Sequence, residues 1–309
     1  MLGGTHRAGS LHAGVSQGRL TKAELDLDLD RFQTIDDRLA MAAIAGNYGS
    51  VVAVAILAHW IAHWAVTAAA IIVIAGRQMA IQNLLHAAAH RSLFSNRKAN
   101  DHVDLFLGFP LFDTVRSYRS GHLRHHRDVT RKEPDRFDYI EIHLAPPQSP
   151  LWRRTWKVVL GPLLGAAGWR FIRNTAEALW EEPRFAGRLA AYWLAAGGGF
   201  YLTGGLSYLV LYWLFPLVWL YPIFDRWAAI TDHHATRDEA RNQRGFFYSF
   251  LLKGHEMYHA VHHIYPHIPF YRMRAAHRHL AAAGFQMEET RGIRDFIKIL
   301  HRDSSLAGS

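Results

Sequence analysis

Cysteine is missing from all 309 positions of the sequence. This absence excludes disulfide bonds, cysteine-ligated iron–sulfur clusters and thiolate ligands to a metal. A metal site in this chain therefore has to be built from histidine, with oxygen ligands as the only other donors.

Charged residues are missing from two long stretches, residues 40–76 and 189–224. A bilayer crossing needs about 20 apolar residues, so each stretch is long enough for two crossings joined by a tight turn. The first turn is expected near His59 and His63, and the second within residues 203–207. The pattern predicts two pairs of transmembrane helices, at about residues 40–85 and 189–224.

The distribution of polar residues divides the chain into three parts. Residues 1–39 form a polar lead-in, in which no basic segment is directly followed by an apolar run, so no signal peptide is predicted. Residues 40–285 are expected to form one membrane domain, and residues 286–309 a C-terminal tail. The second helix of the first pair is expected to continue as far as His90, beyond the lipid.

The chain is basic, with a formal net charge of +9. Both predicted turns lack Lys and Arg, so the excess of positive charge on cytoplasmic segments places the termini and the histidine clusters in the cytoplasm. Attraction to anionic lipid headgroups explains the charge better than nucleic-acid binding, which is not expected. The high content of Ala, Gly and Arg favours a bacterial chain, and hence the plasma membrane.

Histidine is abundant, with 21 residues, and three clusters share a helical spacing. The first is His86-Ala87-Ala88-Ala89-His90, and H-x-x-H-H recurs at His122, His125 and His126 and at His259, His262 and His263. If the last segment is helical from His255 to His263, four imidazoles leave one face, and Pro266 should end that helix at Ile264 or Tyr265. The other histidines of this region, His267, His277 and His279, are expected at the surface, and His59 and His63 at the opposite membrane face.

Neutral imidazole is the commonest nitrogen ligand of transition metals in proteins. One zinc ion takes about four ligands, so eight or nine converging histidines suit two metals, and all-nitrogen ligation fits iron. A zinc hydrolase or a metal-sensing membrane receptor is the hypothesis from a different class, because it needs only three histidines and an acidic or open position.

These motifs resemble the membrane fatty acid desaturase and hydroxylase superfamily, the histidine-box di-iron enzymes. The resemblance covers residues 77–280 and includes the segments Tyr118-Arg119-Ser120-Gly121-His122 and Tyr265-Pro266-His267-Ile268-Pro269. It implies an all-α integral membrane fold, with four transmembrane helices in two hairpins and a helical cytosolic cap that holds two iron ions. The first box departs from the pattern at Ala87, where many relatives have an acidic residue.

The resemblance also implies a set of metal ligands. The expected ligands are His86, His90, His122, His125, His126, His233, His259, His262 and His263. His233 matches a ligand position just after the last transmembrane helix, and His234 is the alternative there. His255, where relatives often have Asn, is expected to be a ligand, a neighbour that hydrogen-bonds to one, or a surface ring. The carboxylates Asp128, Asp232 and Glu256 are candidate partners of ligand N–H groups.

Two irons bind and activate dioxygen for attack on an unactivated C–H bond, with O2 as co-substrate. Removal of a second hydrogen gives an alkene, and oxygen transfer gives an alcohol. Desaturation of a fatty acyl chain is the preferred reading of this resemblance, and a hydroxylase or ketolase acting on a lipid, a carotenoid or a small metabolite is the alternative. The sequence lacks the His-Pro-Gly-Gly segment of a fused cytochrome, so a separate electron donor of ferredoxin or cytochrome type is expected.

Overall fold

The computed structural model describes residues 28–131, 150–234, 236 and 239–301. Within these ranges the chain is mostly helical, as predicted. The first two long helices are α1 (Asp37–Ile61) and α2 (Trp64–Ala89), which pack against each other along their lengths.

Side-chain caps define the starts of both α1 and α2. The Asp36 carboxylate accepts a hydrogen bond from the Arg38 backbone N–H at 3.0 Å and starts α1, which ends at Ala62 in the left-handed conformation (φ 49°). The His63 ring accepts from the Ala65 N–H at 3.2 Å and starts α2. The predicted turn near His63 and the predicted continuation of the second helix to His90 are both confirmed.

The segments that follow are shorter. They are α3 (Arg97–Asp101), a π-helical turn (Asp104–Gly108), a 3-10 turn (Phe109–Leu111) and α4 (Val115–Arg131). The next helical run consists of α5 (Leu151–Thr155), two π-helical turns (Trp156–Leu160 and Pro162–Ala166) and α6 (Ala167–Glu181). The run is broken at Gly165, whose φ of 104° lies outside the helical region.

The second long pair consists of α7 (Pro183–Leu202) and α8 (Leu206–His233). Three of the described helices, α1, α2 and α8, are long and apolar enough to cross a membrane. In α7 the residues Arg184 and Arg188 occupy the first part of the helix, so its uncharged part is shorter. The fourth predicted crossing therefore stays a prediction.

The C-terminal part contains short elements around the ends of the long helices. They are β1 (Asn242–Arg244), a π-helical turn (Tyr248–Leu252), α9 (His259–Ile264), α10 (Met273–Ala282), β2 (Glu289–Arg291) and α11 (Ile293–His301). The two strands pair in parallel, with Gln243 opposite Thr290. The ring of Phe296 on α11 lies 5.5 Å from that of Trp227 on α8, so part of the predicted tail packs onto the long helices.

The predicted helix from His255 to His263 is shorter than expected. Only α9 is helical, and it ends at Ile264 as Pro266 requires. Residues 253–256 form a turn instead, because the Glu256 N–H donates to the Lys253 carbonyl (2.8 Å) and Gly254 has a φ of 49°. His255 therefore does not share a helical face with the other histidines.

Helix α2 forms the centre of the core, and its second half is almost entirely buried. It contacts α1, α4, α8 and the turn Tyr248–Leu252. That turn comes so close that a Cβ atom on Gly76 would lie 2.7 Å from the Phe250 carbonyl oxygen. This packing brings the C-terminal ends of α2 and α8 together with α4 and α9.

Candidate metal centre

Four helices supply the histidines that meet at this end of the core. Helix α2 carries His86 and its C-cap residue is His90, one turn later, while α8 ends at His233. Helix α4 carries one H-x-x-H-H motif and α9 carries the other. The imidazoles come from distant parts of the chain, so only the tertiary fold brings them together.

The nine histidines expected as ligands all lie in two compact groups. Group 1 contains His86, His90, His122, His126 and His262, and group 2 contains His125, His233, His259 and His263. Within each group, one nitrogen of every ring lies within 4.8 Å of one nitrogen of every other ring. Each group therefore has enough converging donors for one metal ion, which makes two potential metal sites.

Each H-x-x-H-H motif contributes to both groups. His122 and His126 enter group 1 while His125 enters group 2, and on α9 the arrangement is reversed, since only His262 joins group 1. An α-helix turns by about 100° per residue, so position i+4 lies about 40° to one side of position i and position i+3 about 60° to the other side. The spacing thus serves two neighbouring sites at once.

The distances between ring nitrogens match those around a metal ion. The Nε2 atom of His126 lies 2.9 Å from that of His122 and 3.0 Å from that of His262. Two ligand nitrogens that lie about 2.1 Å from an ion, at right angles to each other, are about 3.0 Å apart. The three rings therefore already have the separation that a common ion would impose.

The hydrogen bonds of group 2 leave two lone pairs facing each other. The Nδ1 atom of His233 lies 2.8 Å from the Glu239 carbonyl oxygen, and that of His259 lies 2.7 Å from the Glu256 carboxylate. Both contacts place the proton on Nδ1, because the oxygens can only accept. The two Nε2 atoms are then unprotonated and only 3.0 Å apart, an arrangement that a cation between them would stabilise.

Group 1 also contains ring nitrogens that are free to bind a cation. The Nδ1 atom of His86 lies 2.8 Å from the second oxygen of Glu256, which again leaves Nε2 unprotonated. The Nε2 atoms of His86 and His90 are buried and have no hydrogen-bond partner in the described part of the chain. An unpaired buried nitrogen is costly, and a metal ion would satisfy it.

Burial also favours the neutral form of His262 and His263. It lowers the pKa of His262 well below its usual value, and the neighbouring rings of His86 and His90 lower it further. Burial likewise lowers the pKa of His263, and the neighbouring rings of His126 and His259 lower it further. A metal ligand has to be unprotonated, so these shifts favour metal binding at neutral pH.

Two buried carboxylates lie behind the rings. Burial alone would raise the pKa of Glu256, but the N–H groups of His86 and His259 outweigh it and hold that pKa well below the usual range. Asp232 is bonded to the Gln243 amide (2.5 Å) and to the ammonium group of Lys253, and one of its oxygens lies 3.8 Å from His259 Nε2. Both residues were predicted as candidate partners of ligand N–H groups. Ala87 stands where many relatives have an acidic residue, and here Glu256 accepts the hydrogen bond from His86 instead.

The other candidates lie outside the two groups. The ring of His255 is 2.9 Å from the Asn47 amide nitrogen and packs on Phe270, so in this structure it is a core contact of α1. The His234 carbonyl accepts from Arg241 at 2.7 Å, and its ring belongs to neither group. The side chain of Asp128 lies outside the described residues.

Some contacts differ from the sequence-based expectation or were not anticipated by it. His277 was expected at the surface but is buried, and Glu289 of β2 lies 3.0 Å from its ring. Lys253 and Gln243 hold Asp232 in place, and no motif marks either residue. A lysine paired with an aspartate 21 positions away leaves no local pattern to detect.

Comparison with known proteins agrees with this geometry. The sequence model of the fatty acid desaturase family matches residues 39–291. A dihydrorhizobitoxine desaturase from Bradyrhizobium elkanii is 24% identical over 267 residues, an alignment that covers 79% of this chain and 75% of that protein. The family match includes both histidine groups, α2, α8 and nearly all of α1. The chain therefore belongs to the fatty acid desaturase family, and it is a desaturase-like oxidoreductase.

Proposed function

We propose that this protein is a di-iron, O2-dependent membrane enzyme that oxidises unactivated C–H bonds, and that its reaction is desaturation of an acyl chain. The observation that carries the proposal is the presence of two neighbouring histidine groups with nitrogens free to bind metal. In group 2, the unprotonated Nε2 atoms of His233 and His259 lie only 3.0 Å apart. The five histidines of group 1 would hold one iron and the four of group 2 the other.

Two bound iron ions would supply the activation of dioxygen. The residues of the chain position and insulate this centre. Glu256 keeps His86 and His259 in the tautomer whose Nε2 can bind metal. The surrounding apolar residues of α2, such as Leu84 and Leu85, exclude water from its inner side, because both are fully buried.

An apolar cavity supports a lipid substrate. It has a volume of about 470 Å³ and lies between α1, α7 and α8. Its lining includes Ala55, Tyr192, Ala196, Tyr212 and Pro110. Pro110 precedes α4 by five positions, so one lining residue lies close along the chain to the helix with the second histidine cluster. The cavity would take the apolar tail of the substrate.

The membrane arrangement is part of the same proposal. Helices α1, α2, α7 and α8 would form two transmembrane hairpins within a membrane domain of residues 40–285. The histidine groups and both termini would lie on the cytoplasmic side of a bacterial plasma membrane, because the predicted turns at the other side lack basic residues. A separate ferredoxin- or cytochrome-type protein would deliver the electrons.

The relative's name specifies a desaturation, which favours this reaction over hydroxylation or ketolation. Two experiments test the proposal. Metal analysis of the protein purified in detergent should give about two irons per chain, whereas a zinc hydrolase would hold about one zinc. Expression in a bacterial host should yield lipids lighter by two hydrogens, and a gain of one oxygen instead would indicate a hydroxylase.

A further inference from the structure

We infer that Glu256 is a positioning residue that ties the two histidine groups together, so that the two metal sites load as a pair. The inference rests on the proposed function, because it presupposes two metal ions. Its basis is one carboxylate whose two oxygens contact one ring of each group: Oε2 lies 2.8 Å from His86 Nδ1 and Oε1 lies 2.7 Å from His259 Nδ1.

Glu256 is held rigidly by its own surroundings. It is 7% exposed and belongs to the turn that starts at Lys253, whose carbonyl accepts from the Asn83 amide on α2. Gly254 in this turn presses on α2 so closely that a Cβ would lie 2.6 Å from that of Ala80. The ammonium group of Lys253 is paired with Asp232 on α8. The turn that carries the carboxylate is therefore fixed relative to α2, which carries His86, and to α8, which ends at His233 of group 2.

This geometry couples the two sites through hydrogen bonds. A cation bound at Nε2 of His86 makes the Nδ1–H of that ring a stronger donor, which strengthens its bond to Glu256. The orientation of the carboxylate is then fixed, and its other oxygen holds His259 ready for the second ion. The Glu256 side chain therefore loses its conformational freedom when the first ion binds, and this entropy cost does not recur when the second ion binds.

Charge balance strengthens the coupling. Nine neutral imidazoles add no charge, so two divalent ions at this spacing would repel each other in a buried site. Glu256 is an anion that contacts a ligand from each group and offsets part of this repulsion for both ions. Asp232 offsets less, because Lys253 neutralises it.

A glutamine at this position cannot serve both rings. When both Nε2 atoms bind metal, both Nδ1 atoms carry protons and act as donors. The amide of Glu256→Gln offers one accepting oxygen and one donating NH2 group, so one ring loses its partner. We expect the variant to bind its first ion and to bind the second at least about tenfold more weakly.

The experiment uses full-length protein in detergent, stripped of metal and titrated with Mn²⁺, because the magnetic signal of Mn²⁺ reports pairing without any enzymatic activity. At one equivalent per chain, the wild type should show mainly spin-coupled pairs and empty chains. E256Q should show mainly the six-line signal of isolated ions. Glu239→Gln is the matched control, because the Glu239 carboxylate lies 3.8 Å from His263 Nδ1 of group 2, beyond hydrogen-bond distance, and it should keep the paired signal.

The Glu256→Asp variant distinguishes the effect of the negative charge from the effect of the side-chain length. It retains the negative charge, but its shorter side chain cannot contact both rings, so it should also lose pairing if the bridge is responsible. Thermal unfolding of the metal-free variants establishes that each is folded. Paired loading in both E256Q and E256D, or separate loading in the wild type, would overturn the inference while leaving a two-metal enzyme in place. A wild type that binds only one ion would overturn the proposed function itself.

Discussion

Lys253 and Asp232 form a buried ion pair directly behind the second histidine group, with side chains that are only 4% and 5% exposed. Asp232 lies on α8 next to His233, and Lys253 begins the turn that carries Glu256. The pair therefore connects the helix that ends in one group to the turn that supports both. Its removal should affect both stability and metal binding.

Replacement of Lys253 by Met leaves the Asp232 charge buried without its partner. We expect a loss of about 3–5 kcal/mol in the free energy of unfolding, which is typical when one member of a buried pair is removed. The double variant Lys253→Met with Asp232→Asn should recover part of this loss, because no isolated charge remains. Denaturation of the metal-free proteins in detergent measures both values, and equal losses in the single and double variants would contradict the role of the pair.

The pH dependence of the same pair has a defined sign. Burial lowers the pKa of Lys253, but the charges of Asp232 and Glu256 outweigh it and raise the pKa above its ordinary value of 10.5. The folded state thus holds this proton more tightly than the unfolded state does. The stability from the pair should be fully present below about pH 10 and be lost as the pH rises through the raised pKa. The free energy of unfolding of the Lys253→Met variant should not show this decrease at alkaline pH.

The two histidines His126 and His255 should differ in their effect on metal content. His126 Nε2 lies within 3.0 Å of two other ring nitrogens, so His126→Ala should remove most of one ion per chain. His255→Ala should retain both ions and lose only about 1 kcal/mol of stability with its bond to Asn47. Metal analysis of the two purified variants checks this, and a lost ion in His255→Ala would make that residue a ligand after all.

The sequence was sufficient to identify the eight clustered histidines, since helical spacing repeats three times in a chain without cysteine, whereas His233 was expected only from the family resemblance. The division into two groups, which was not predicted, is compatible with the same spacing, because positions i+3 and i+4 lie on opposite sides of position i, about 100° apart. Local patterns were insufficient for His255, since it lies in the turn of residues 253–256 and not in the expected helix. Glu256 was a candidate, but its contact with two rings 170 and 3 positions away depends on how α2 and α9 pack.

Gly254 also provides a test of how strictly the turn is fitted to α2. An added Cβ there would lie 2.6 Å from the Ala80 Cβ, and the backbone is left-handed. Gly292 is the matched control, because its φ of 78° is also left-handed but no atom lies within 4 Å of the added Cβ. Gly292→Ala should lose about 1–2 kcal/mol from backbone strain alone. Gly254→Ala should lose about 1–3 kcal/mol more from overpacking and should bind metal less tightly, and equal losses would mean that the contact with Ala80 is unimportant.

The cavity between α1, α7 and α8 gives the last prediction, which concerns the substrate. Ala196 on α7 lines the cavity, whereas Leu194 on the same helix is 76% exposed and faces away from it. Ala196→Trp should fill much of the cavity and shift the products in a bacterial host toward shorter acyl chains, or abolish them, because a long apolar tail no longer fits. Leu194→Trp adds an indole on the outside of the same helix and should leave the products unchanged. Mass spectrometry of the host lipids measures the chain lengths, and equal product profiles for the two variants would show that the substrate does not enter this cavity.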